Sequence, residues 1–117
     1  MRSAILVVVA SLGLAVPATA AAPPARVQIS AQEFAFTLSR TSIKSGRAIV
    51  ELVNFGEDPH DLRLRRVGGT RTVGTHVVLP GGTADLRATL AAGKYVFWCS
   101  IADHRARGMR GTLVVRR

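Results

Sequence analysis

Beyond residue 20 the apolar positions come in short alternating runs, and no stretch of ten or more residues carries a helical period. Val27 and Ile29 open the series. Phe34, Phe36 and Leu38 then alternate with Ala35, Thr37 and Ser39, as a second strand or as the first continued past an irregularity. After a turn at Ser45-Gly46, Ala48, Val50 and Leu52 share one face and Glu51 takes the other. Asn54 to Pro59 is a loop by its turn residues. His60 shares a face with Leu62 and Leu64, while Asp61, Arg63 and Arg65 take the opposite one, so the imidazole is expected to point inward with two core leucines. Gly68-Gly69 interrupts the pattern, Thr72 to Leu79 reads as a strand, and Pro80-Gly81-Gly82 turns the chain. The clearest period of two follows, with Ala84, Leu86, Ala88 and Leu90 against Asp85, Arg87 and Thr89. Tyr95, Phe97 and Cys99 share a face of the next strand, and Thr112 to Val115 ends the series with Leu113 and Val115 together. Seven or eight short strands separated by Gly and Pro turns predict an all-β chain folded as a Greek-key, two-sheet β-sandwich.

The first twenty residues follow a different rule. Arg2 supplies a minimal positive start, Ala4 to Val16 is an apolar run, and Ala18-Thr19-Ala20 has the small-x-small form of a processing site. This reads as a secretory signal peptide over residues 1–20, cut after Ala20. The run is shorter than the ~20 apolar residues that span a bilayer, and Pro17 ends it, so no stable span is expected once it is removed. Residues 21–25, with Pro23-Pro24, read as an extended leader, and residues 26–117 as one small domain. The location implied is periplasmic or secreted.

Composition narrows the partners. Nearly half of the residues are apolar but only 5% are aromatic, which suits a small β domain filled by Val, Leu and Ala. The formal charge is +9, spread over clusters at Arg63, Arg65 and Arg66, at Arg105, Arg107 and Arg110, and at the C-terminal Arg116 and Arg117. Such a balance suits acidic partners, an anionic membrane surface or nucleic acid. Nucleic acid is not expected, because neither stacking aromatics nor a recognition helix accompanies the basic residues.

The candidate chemistry lies near the C-terminus. Cys99 is the only cysteine, and an exported chain has little reason to carry a lone thiol without a use for it. Four residues separate it from His104, and four more separate His104 from Met109. A thiolate, an imidazole and a thioether, completed by a second imidazole at His60, are the donors of a blue-copper site: two His and a Cys in a trigonal plane with a long Met contact. Each residue alone has an ordinary reading, as buried thiol, core histidine or packing methionine. Spacing, strand parity and flanking glycines favour the metal reading for all four. His76 has no partner ligand and stays outside the set. Asp61 and Asp103 flank ligands but are hard donors ill suited to copper. A zinc site on the same Cys and His residues would not need the thioether.

Two stretches resemble the cupredoxin family of small blue-copper proteins, to which plastocyanin and azurin belong. One is Val53-Asn54-Phe55-Gly56 through His60 to Leu62, which is similar to the family's Asn-x-Gly loop before the first His ligand. The other is Gly93-Lys94-Tyr95-Val96-Phe97-Trp98-Cys99, then His104, Gly108-Met109-Arg110-Gly111 and the strand after it. The resemblance implies a type 1 copper ion bound by His60, Cys99, His104 and Met109. It implies shuttling of one electron between larger redox partners, with the His104 ring edge emerging through an apolar surface patch as the exit. Ala102-Asp103 stands where relatives often have Pro-Gly, and Ala92 where many have Pro. Asp61 stands where many have Asn, so the side-chain tie between the ligand loops is expected to change, while the backbone N–H at that position still donates to the sulfur.

Three functions compete on these residues. A one-electron carrier between redox proteins, acting as a monomer and docking on an acidic surface, uses every feature. Copper delivery or resistance is the alternative, but the Met- or His-rich tracts common in such proteins are absent. A copper enzyme would need further His ligands, and only His76 remains after His60 and His104, so no catalysis is expected.

Overall fold

A computed structural model describes all 117 residues. Residues 1–24 carry no secondary structure, and no helix of the chain is long and apolar enough to cross a membrane. Nine strands follow: β1 (Ala25–Gln32), β2 (Ala35–Leu38), β3 (Ser42–Lys44), β4 (Gly46–Asn54), β5 (Arg63–Arg66), β6 (Thr72–Gly74), β7 (Thr83–Leu90), β8 (Gly93–Trp98) and β9 (Arg110–Arg116). They form a four-stranded sheet in the order β2-β1-β4-β7 and a five-stranded sheet in the order β3-β9-β8-β5-β6. The chain is all-β and packs as a two-sheet sandwich, as the alternation predicts.

The count exceeds the expected seven or eight for identifiable reasons. The run from Val27 to Leu38 is a hairpin, with Ile29 opposite Leu38 and Gln32 opposite Ala35. Strand β3 is three residues long, too short to show a period, and is held by parallel pairing of Ile43 with Val115. The strand expected over Thr72–Leu79 stops at Gly74, and beyond it Val78 makes an isolated bridge to His60. Gly74 lies against the Leu62 carbonyl, where a Cβ would sit 2.5 Å from that oxygen. Close packing of the two backbones thus accompanies the end of β6.

The inward faces agree with the pattern. Ile29, Leu52, Leu64, Phe97 and Leu113 are essentially sealed between the sheets, and Val27, Val50, Leu86, Leu90, Tyr95 and Val115 join them. Strand β8 is central in its sheet, pairing with β5 on one side and β9 on the other. The residue that follows it is therefore held from both sides. That residue is Cys99.

Candidate metal centre

One end of the sandwich gathers His60, Cys99 and His104, with their donor atoms all within 4.8 Å of one another. Cys99 Sγ lies 4.0 Å from His60 Nδ1 and 3.6 Å from His104 Nδ1. The two imidazoles are tilted at 57° with centroids 5.0 Å apart. His60, Cys99 and Met109 are fully buried, and His104 is 6% exposed.

The backbone explains why these residues meet. Cys99 N–H donates to the Met109 carbonyl at 3.0 Å, and Met109 N–H donates to the His104 carbonyl at 3.0 Å. A short loop is thereby folded so that all three residues lie at its base. The His104 N–H closes an inner turn on the Ile101 carbonyl. Within this turn Ala102 takes φ 45°, a left-handed conformation uncommon for a residue with a Cβ. His60 comes from the other side, locked by paired bonds with Val78 of 3.0 and 2.7 Å.

The loop that delivers His60 is organised by Asn54. Its buried Nδ2 donates to the Asp58 and Val78 carbonyls at 2.8 and 2.9 Å, and its Oδ1 accepts from Gly56 N–H at 2.8 Å. At Gly56 a Cβ would collide with the Glu33 carboxylate, which needs that space. Glu33 Oε1 accepts from the N–H groups of Glu57 and Asp58 at 2.9 and 2.7 Å and lies 3.0 Å from His60 Nε2. With the Nε2 proton directed to the carboxylate, the His60 Nδ1 lone pair faces the cluster, the usual arrangement behind a ligating histidine. The Asp58 N–H first, then the Glu57 N–H and His60, hold the Glu33 carboxyl down at about 2 against the effect of burial. A depressed carboxyl stabilises the folded state above its ordinary value, and that contribution fades as pH falls toward 2. Nothing in the sequence pattern singles out Glu33, which sits in the β1–β2 turn, 27 residues from the histidine it orients.

Asp61 departs from expectation. Alternation puts it outward with Arg63, yet it is 2% exposed. Its Oδ1 accepts from Ser100 N–H at 2.6 Å, its Oδ2 accepts from the Ser100 hydroxyl, and Arg63 Nη2 approaches Oδ2 at 3.4 Å. The tie between the two ligand loops is thus made by a carboxylate and its three donors. Replacing Asp61 by Ala should cost about 1.5–3 kcal/mol, the scale of hydrogen bonds to a charged group. Chemical denaturation of the wild type and the variant checks this, and an unchanged midpoint would show that the tie is dispensable.

Burial pushes the Cys99 thiol up, and the Asp61 carboxylate adds to this, while the backbone N–H groups of Asp61 and Ile101 act in the opposite direction. A cation among the donors would reverse that balance, because metal coordination deprotonates a thiol. With metal–sulfur and metal–nitrogen bonds of about 2.3 and 2.0 Å, trigonal to tetrahedral angles require S···N separations of about 3.5–3.7 Å. The 3.6 Å to His104 falls within this range, and the 4.0 Å to His60 lies a few tenths of an ångström beyond it, a wider angle at the metal. A thiolate and two imidazoles, with the buried Met109 of the same loop to add a thioether, are soft enough to select copper over harder ions.

His104 does not present a bare edge. Phe34 packs against its ring with centroids 5.0 Å apart, and the Arg107 guanidinium lies 3.7 Å from the Phe34 centroid. Asp58 Oδ2 stands 3.8 Å from His104 Nε2. Where the resemblance implies an apolar patch with an emerging ring, Phe34 of the β1–β2 turn packs on His104 and Arg107 of the ligand loop lies on Phe34. His76 is exposed and outside the cluster.

A two-sheet sandwich with a buried thiolate–imidazole cluster at one end defines a β-sandwich metalloprotein with the donor set of type 1 copper. The chain belongs to the cupredoxin-like domain family, which matches residues 4–115. Among solved structures it is similar to Na-dithionite-reduced auracyanin from the photosynthetic bacterium Roseiflexus castenholzii, at 20% identity over 79% of this chain and 97% of that one, with a TM-score of 0.64. Auracyanin B is 21% identical over 84% of this chain and 94% of its own, with a TM-score of 0.65. A variant of amicyanin in its reduced Cu(I) form at pH 4 is 18% identical over 83% and 86%, with a TM-score of 0.57. At these identities the likeness is one of fold. No curated protein matches the chain.

Proposed function

We propose that this chain is an exported blue-copper electron carrier, holding one type 1 copper ion through His60, Cys99 and His104 with Met109 as the axial donor. The observation that carries the reading is the convergence of one thiol and two correctly directed imidazole nitrogens in a buried site. Copper supplies a one-electron couple when bound. The protein's own groups do the rest. Cys99 and the two histidines remain in place through backbone bonds that do not depend on the metal. Glu33 and Asp61 hold the two ligand loops, and the sealed core excludes water from the sulfur. A site held so rigidly changes little between redox states, which keeps reorganisation small.

The apolar residues 4–16 and the small residues at 18–20 support export by a cleaved signal peptide, with residues 21–25 as a leader and function in the periplasm or outside the cell. The partners of such a carrier are redox proteins, and the excess of arginine favours acidic ones. A monomer suffices. Copper delivery is the second reading. Slow exchange of bound copper into a chelator favours the carrier, and rapid exchange favours delivery.

Titration of the purified protein with Cu(II), followed by visible absorption, tests the central claim. An intense band that disappears on reduction is expected. A colourless complex, or preference for zinc, would replace electron transfer with metal handling. Met109→Gln should keep copper bound and lower the reduction potential, because the axial donor tunes it. Voltammetry reads the change, and an unchanged potential removes Met109 from the site.

A further inference from the structure

The outward face of the five-stranded sheet carries charge of one sign. Strand registers place Arg63, Arg65, Lys94, Arg110, Arg116 and Lys44 on it, and no outward strand position of that sheet holds a carboxylate. The adjacent acid, Asp61, is buried and already bound to Ser100 and Arg63. At the end of the central strand, where the face meets the cluster, stands Trp98, half-buried, in register with Arg63 on one side and Arg110 on the other. The Arg65 and Arg105 guanidinium carbons lie 5.7 and 4.6 Å from its ring centroid. A recess of about 330 Å³ opens beside it, lined by Trp98, Arg105 and Arg110 among others.

Trp98 immediately precedes Cys99 in the chain. The aromatic ring of the basic face is therefore one residue from the sulfur of the cluster. The other way in, past His104, is narrow: the residue is 6% exposed, with Phe34 and Asp58 beside its ring and Arg107 on Phe34.

We propose that this sheet face, at the end that carries Trp98, is the docking surface for an acidic protein partner, and that Trp98 is the contact through which the electron reaches Cys99. The inference rests on the copper reading above. Charge complementarity names the occupant: guanidinium groups stacked on an aromatic ring keep their edge N–H donors free for carboxylates. The exchange moves one electron. The partner is oxidised by one unit and the centre at Cys99 is reduced by one, with no bond made or broken and no proton transferred.

Two measurements on the whole chain test it. The copper-loaded protein is mixed with a reduced acidic b-type cytochrome and, separately, with a reduced basic c-type cytochrome, and bleaching of the visible band is timed at several salt concentrations. Trp98 is the only tryptophan, so its emission in the copper-free protein reports docking without electron transfer. The acidic cytochrome should react faster, lose that advantage with salt, and shift the emission. Arg65→Glu with Arg105→Glu should slow the reaction by about tenfold or more, the lower range of electrostatic steering, and remove the shift while the visible band stays. A double variant reacting at the wild-type rate would overturn the proposal, as would a larger loss from Arg107→Glu, which would put the port at the His104 edge. Emission that responds to phosphatidylglycerol vesicles or to a DNA duplex, and not to the acidic cytochrome, would reassign the face to a membrane or to nucleic acid. A wild-type protein without a visible band refutes the copper reading and the electron step with it, while the emission titration still decides the docking surface.

Discussion

Cys99→Ser is expected to abolish the intense visible band and to weaken copper binding by well over the 10–100-fold that loss of a supporting outer-shell contact costs. The thiolate is the one soft anionic donor in the cluster, and the hydroxyl of serine does not ionise under the same conditions. Without the thiolate, two nitrogens and a weak thioether remain from a set of four donors. The backbone bond from residue 99 to the Met109 carbonyl is made by the main chain and survives the change. The fold should therefore persist while the site loses its colour. Serine adds a hydroxyl to a position that is 0% exposed, so a modest loss of stability accompanies the change. Visible absorption and a competitive copper titration, read beside circular dichroism, separate these effects. A variant that keeps both colour and affinity would remove Cys99 from the metal site.

Phe97→Ala should destabilise the protein by about 3–5 kcal/mol, the range for deleting a buried phenyl ring. Phe97 is 1% exposed and lies on the central strand of the five-stranded sheet, with Leu64 opposite on β5 and Gly111 opposite on β9. Its ring meets Phe36 of the other sheet edge-on, with centroids 5.6 Å apart. Gly111 makes room for it, since a Cβ there would approach the ring to 2.5 Å. A smaller residue leaves a cavity that this rigid surround fills poorly. Phe97 is two residues before Cys99 on the same face, so the vacancy lies directly under the cluster. The variant should unfold at markedly lower denaturant and hold copper less firmly even where it remains folded. A change below about 1 kcal/mol would mean that the core collapses around the gap and does not depend on this ring.

Alternation of residue type was enough to recover the sandwich and most of its inward faces, because a strand half buried between sheets needs apolar side chains at every second position. It placed His60 with Leu62 and Leu64, Cys99 with Tyr95 and Phe97, and the structure buries all six. The spacing of Cys99, His104 and Met109 survives translation into three dimensions because a short loop after a central strand keeps neighbours in sequence near one another in space. Periodicity fails where contact at long range overrides it. Asp61 sits at an outward position and is nevertheless buried, since Ser100, 39 residues away, supplies two donors to its carboxylate. Strand β3 exists only because β9 pairs with it. Glu33 has no pattern at all, and it matters because a hairpin turn brings its oxygen against His60. The packing of Phe34 on His104, and the gathering of arginines around Trp98, likewise follow from how the sheets and loops pack. Local chemistry along the chain specifies the strands and the donor atoms, because hydrophobic burial and ligand type are properties of single residues. The partners that orient those donors, and the side from which they are reached, belong to distances between segments that no local pattern encodes.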